Sequence, residues 1–168
     1  MMHEHDADES TSKRALPRSY GPVPVDVLVK EVYESAPQKV KKGILNLLVG
    51  GAYEASPLPV RKSLLEQLIR SVGVLGLVTV AGGVFAEIRL RGGWPNVLVN
   101  SDDLQLIKRA DVVALVDYVQ QVSDGALFDV AQLLASSPAL AGSGAVAVLA
   151  TIMLRRVPDR RRIPRDYI

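Results

Sequence analysis

The side chains able to do chemistry fall into four groups. His3 and His5 stand with Glu4, Asp6 and Asp8 in the opening run MMHEHDADES. Neighbouring imidazoles and carboxylates are divalent-metal ligands. A polar, acidic arm offers no rigid frame and no second layer of hydrogen bonds to hold a coordination geometry, so no dedicated metal site is expected there. These are the only two His in the chain, which leaves none for a Ser–His hydrolase or a His-ligated metal in the folded part. There is no Cys. That removes disulfides, thiolate metal sites and a Cys nucleophile, and it fits a reducing compartment.

The second group is Gly142-Ser143-Gly144-Ala145-Val146-Ala147, which matches the loose G-x-G-x-x-A dinucleotide pattern. That chemistry needs a strand before the glycines and a βαβ unit around them. Ser136-Ser137-Pro138 precedes this copy instead, so the small residues are expected to let two helices pack closely. Third come the carboxylates Asp111, Asp117, Asp124 and Asp129, read as a solvated helix face, and Glu87, with Arg89 and Arg91 as counter-charges. No nucleophile, base and oxyanion donor converge. The expectation is a non-enzymatic protein with no cofactor and no small-molecule substrate. The fourth group is the run RRVPDRRRIPRDYI at 155–168, six Arg against Asp159 and Asp166. With a net charge of +2, a pI of 9.0 and no interleaved aromatics, it gives salt-sensitive, non-specific phosphate contact at best, and nucleic acid is not an expected partner.

The elements that position these groups are dominated by two charge-free stretches, Ser71–Ala86 and Ala131–Leu154. A chain of 168 residues, 48% hydrophobic and with a mean hydropathy of +0.18, can bury a real core. Residues 1–22 read as a flexible acidic and polar arm, 23–156 as one helical domain, and 157–168 as a basic tail. No secretory signal is visible, because the acidic start is the reverse of a basic n-region. The fold class expected is all-α: a bundle of five to seven helices with two apolar, small-residue-rich central helices.

A short helix is expected over VDVLVKEVYESA. Tyr33-Glu34-Ser35-Ala36-Pro37 with Val40-Lys41-Lys42, Ile44-Leu45 and Leu48 recurs twenty residues later as Tyr53-Glu54-Ala55-Ser56-Pro57 with Val60-Arg61-Lys62, Leu64-Leu65 and Leu68. This is either one common helix-start pattern met twice or a duplicated helical hairpin. Each Pro is placed at a first helical position. Val40, Ile44, Leu47 and Leu48 fall on one face, as do Val60, Leu64 and Leu68, and Gly50-Gly51 is expected to end the first amphipathic run. The next helix is expected to continue to about Leu90, broken by Arg91-Gly92-Gly93-Trp94-Pro95. An extended link over 96–100 then leads to a helix over 103–123 capped by Asn100 or Ser101, with Asp102 and Asp103 in its first turn. Further helices are expected over 126–136 and from Pro138 to Arg156.

The function expected is non-catalytic: a helical scaffold or a subunit of a larger complex, cytoplasmic, with a protein partner or a second copy of itself. Contact is assigned to Gly73, Gly76, Gly82, Gly83, Trp94, Gly142, Gly144, Arg155, Arg156, Arg160, Arg161, Arg162 and Tyr167. The alternative is an oligomeric helical hairpin in an inner membrane with both ends cytoplasmic. Ten of the twenty Lys and Arg precede residue 71, four lie between the charge-free stretches and six follow residue 154, which is the bias such a hairpin requires.

Overall fold

The computed structural model describes residues 24–93, 95–123 and 125–155. The protein is an all-α bundle, and no strand occurs among the described residues. The described helices are α1 (Val25–Ser35), α2 (Gln38–Ala55), α3 (Leu58–Arg70), α4 (Val74–Val78), α5 (Val84–Gly92), α6 (Ser101–Leu106), α7 (Arg109–Val122), α8 (Ala126–Ala135) and α9 (Gly144–Arg155), with single 3₁₀ turns at Ala81–Gly83 and Pro138–Leu140. The count exceeds the expected five to seven because three long runs are each broken by the backbone.

The Tyr-Glu-x-x-Pro recurrence builds the same corner twice. Helices α1 and α2 both end on a residue before Pro, and steric conflict with the proline ring pushes that residue into extended backbone. Ala36 (φ −72°, ψ 148°) and Ser56 (φ −80°, ψ 143°) take this conformation, and their N–H groups donate to the Tyr33 and Tyr53 carbonyls at 3.3 and 3.2 Å. Pro37 and Pro57 are the N-caps of α2 and α3, one place before the position expected. Each Tyr is buried, and the cation eight residues on lies over its ring: Lys41 at 5.7 Å from the Tyr33 centroid, Arg61 at 5.2 Å from that of Tyr53. The recurrence is therefore conformational as well as sequential.

Helix α2 is the centre of the bundle, packed along α7 on one flank and α9 on the other. It does not stop at Gly50-Gly51. A Cβ at Gly50 would sit 2.8 Å from Val113 Cγ2, and one at Gly51 3.8 Å from Ala145 Cβ, so these glycines allow α7 and α9 to approach. The buried arc is Leu45, Val49, Ala52 and Tyr53, while Val40 and Leu47 are exposed and Ile44 and Leu48 partly buried. Helix α3 buries Leu64, Leu65, Leu68 and Ile69, with Val60 half-buried.

The apolar central helices are not continuous. Ser71–Ala86 contains α4, a 3₁₀ turn and the start of α5, divided at Gly73 and at Ala81-Gly82-Gly83, whose φ values of 48°, 66° and 85° are left-handed. The stretch from 131 to 154 divides at the 3₁₀ turn and at Gly142-Ser143 before α9. The expected helix over 103–123 divides at Ile107-Lys108 into α6 and α7. At about 1.5 Å rise per residue, the 12 residues of α9 reach about 18 Å, well short of the roughly 30 Å of a hydrocarbon core. Among the described residues no helix is long and apolar enough to cross a membrane, so the alternative hairpin has no spans there.

Candidate interaction surface

The corner between α3 and α5 is built to a definite shape. Helix α3 closes with Ser71, whose hydroxyl donates to the Leu68 carbonyl at 2.7 Å. Gly73 is the N-cap of α4, and the Thr79 hydroxyl closes its end on the Gly76 carbonyl at 2.9 Å. The left-handed run follows, with the Gly83 N–H donating to the Val80 carbonyl at 2.9 Å. Val72, Leu77 and Val80 plug into the core. At Gly76 the α4 backbone lies against Tyr118 of α7. A Cβ there would fall 2.7 Å from Cε1 and 2.8 Å from Cζ, and into contact with the hydroxyl oxygen.

Anchored on that side, α4 turns the other to solvent. Leu75 is 88% exposed and Val78, one turn on, 55%. No charge occurs between Arg70 and Glu87, both exposed. Single exposed aliphatics are ordinary. Here two share one side of a five-residue helix held in place by three buried neighbours. A second apolar surface adjoins the link over 95–100. Gly92 comes close to the link, its Cβ position lying 3.0 Å from the Leu98 nitrogen, and Leu90 and Leu98 are exposed on either side of the break. A third is a cleft of ≈ 120 Å³ between α8 and α9, lined by Phe128, Ala131, Ala135, Ala150, Met153 and Leu154.

The carboxylates hold the fold together. Asp117 accepts from Asn46 Nδ2 at 2.9 Å and from Gln121 Nε2 at 3.2 Å, while Gln120 Nε2 donates to Asn46 Oδ1 at 2.5 Å, which sets α2 against α7. Buried Asp103 accepts from the Asn100 N–H and from Arg91 Nη2, both at 2.7 Å. Arg91 is thereby drawn to α6 rather than to Glu87. Asp111 accepts from the Lys108 N–H at 2.8 Å at the start of α7. Arg89 is a buried side chain of α5. At the second corner the Tyr53 hydroxyl donates to the Ile107 carbonyl at 3.3 Å and Arg109 meets Glu54 at 3.1 Å. Burial holds the Tyr53 phenol above its ordinary value of 10.0; Arg61 opposes that shift and Asp111 reinforces it. No cluster of three or more potential metal ligands occurs among the described residues.

The contact residues expected from sequence are scattered over this frame. Gly73, Gly76, Gly82 and Gly83 all lie at the α4 corner, and Gly76 alone of these meets another helix. Gly83 has only the Val78 carbonyl oxygen near its Cβ position, at 3.5 Å, while Gly73 and Gly82 have no neighbour within 4 Å. Gly142 and Gly144 have none either, so the two glycines make no close helix contact. Ala145 of the same motif does, its Cβ lying 3.8 Å from the Cβ position of Gly51 in α2. No strand precedes the motif; the Pro138–Leu140 turn does. Arg155 is the last described residue of α9. Asp124, Trp94, Arg156, Arg160, Arg161, Arg162 and Tyr167 lie outside the described residues, as do residues 1–22 and 157–168. Sequence reasoning missed Leu75 and Val78. The signal that marks them is their place in a charge-free run between Gly73 and Gly82.

Comparison with protein-family models, with curated proteins and with solved structures returns no match.

Proposed function

We propose that the protein is a non-catalytic helical scaffold or subunit that docks a protein partner through the outward side of α4. The observation that carries this reading is Leu75, a bulky aliphatic side chain 88% exposed on a helix anchored through Leu77. Covering Leu75 and Val78 in a partner's pocket would contribute roughly 1.5–3 kcal/mol for each side chain fully buried. At most interfaces a few well-packed, fully desolvated residues carry the greater part of the binding energy. The exposed pair Leu90 and Leu98 supports a surface of more than one patch. A cytoplasmic setting belongs to the same reading, supported by a sequence without cysteine.

The test is photo-cross-linking in the cells that make the protein, with a photoreactive residue at position 75 or at the exposed polar position Gln105. A discrete adduct from position 75 that Val78→Asp abolishes, with none from position 105, is the expected result. No adduct at 75, or equal adducts at both positions, overturns the reading.

A further inference from the structure

The α8–α9 cleft is apolar along both walls. Its one polar lining group is Gln132, beyond which a shallow depression holds the exposed carboxylate of Asp129. A volume of ≈ 120 Å³ is several times the roughly 30 Å³ share of one water in the liquid. Walls of Phe, Ala, Met and Leu give water almost nothing to bond. The cleft therefore suits a hydrocarbon side chain carried by a cationic segment.

We propose that residues 156–168 of the same chain fold back and fill this cleft, with Ile163 or Ile168 as the anchor and an arginine of the run meeting Asp129. Two observations favour this occupant over any foreign one. Met153 and Leu154 line the cleft, and the segment follows them within two residues in sequence. A tether of a few residues holds its ligand at an effective concentration in the millimolar range, an advantage no partner in solution shares. The second is sequence chemistry. VPDRRRIPRDYI carries the apolar side chains of Val157, Ile163 and Ile168 beside four arginines, which matches an apolar slot with a carboxylate at its rim. At up to about 3.3 Å per residue, the eight residues from Arg155 to Ile163 extend about 26 Å, enough to reverse at Pro158 and return along a cleft of this size. This inference is independent of the α4 reading.

The chain contains no Cys, so Asp166→Cys gives a single site for a nitroxide label in the full-length protein. The measurement is paramagnetic broadening of backbone amide signals. Broadening concentrated on 128–135 and 150–154, relieved by Ala135→Glu and by Ile163→Asp, is expected. Broadening absent from those amides, or unchanged by both substitutions, overturns the proposal. A mixture of labelled and isotope-enriched unlabelled protein separates the two copies. Broadening in that mixture assigns the cleft to a neighbouring chain and also overturns it. An α4 face that fails to cross-link leaves this result untouched.

Discussion

Gly50→Ala is the sharpest probe of the bundle's central seam, because local and tertiary effects oppose each other there. In the interior of α2 the substitution gains about 1 kcal/mol of helix propensity. The new Cβ falls 2.8 Å from Val113 Cγ2 and 3.2 Å from Arg109 Cγ, where ordinary contact starts at 3.4 Å. Val113 is β-branched on a helix and held in essentially one rotamer, so relief comes from separating α2 and α7 and loosening Asn46–Asp117. Overpacking of this kind costs about 1–3 kcal/mol, a net loss of up to about 2 kcal/mol. The Val113→Ala background removes Cγ2, and there the same Gly50→Ala change becomes stabilising by up to about 1 kcal/mol. Denaturant unfolding of the four proteins of this cycle, compared by midpoint at unchanged slope, gives the coupling. Equal effects of Gly50→Ala in both backgrounds, within about 0.5 kcal/mol, would refute the close seam.

Three further outcomes are expected. Tyr53 has a raised folded-state pKa, so its contribution to stability is complete below pH 10.0 and is lost as pH rises from there through the folded value; Tyr53→Phe flattens that alkaline decline in a pH series of melting curves, and an unchanged profile contradicts it. Asn46→Ala leaves Asp117 and Gln120 without their shared partner at a part-buried seam and lowers stability by about 1–3 kcal/mol, whereas a change within about 0.5 kcal/mol would show the ladder to be idle. Gly82→Ala forces a side chain onto a φ of 66° at a cost of about 1–2 kcal/mol, while Gly144→Ala, with open space around it, stays within about 0.5 kcal/mol; equal losses at both sites would contradict the assigned backbone.

What sequence made legible is what short-range chemistry decides. Asn100 or Ser101 ahead of Asp102 and Asp103 marks a helix start; the structure makes Asn100 the cap, with the Asp103 carboxylate accepting its N–H. The same holds for α1, α8, the extended link and the two corners, where proline dictates the turn. The end of α2 was hidden because Gly50-Gly51 reads locally as a stop; that these glycines admit α7 and α9 depends on residues 59 and more positions away, at Arg109, Val113 and Ala145. The inward face of α2 was ambiguous because apolar residues occupy most of its circumference, so periodicity alone could not choose Leu45 and Val49 over Val40 and Leu47. The breaks at Gly73 and Ala81–Gly83 were masked by high hydrophobicity, although the Gly82-Gly83 pair carried the signal. Leu75 and Val78 followed from that error, since a continuous core helix leaves no reason to look for an exposed side.

The outward side of α4 is proposed as an interface that adds nothing to the bundle's own stability. The direct measurement is the double variant Leu75→Ser, Val78→Ser, followed by two readouts: its melting midpoint as purified protein, and the native mass of its complex in extracts of the producing cells. A midpoint close to the parent's and a complex reduced to the free chain are expected. A parent-sized complex from the variant, or a variant that fails to fold, would contradict it.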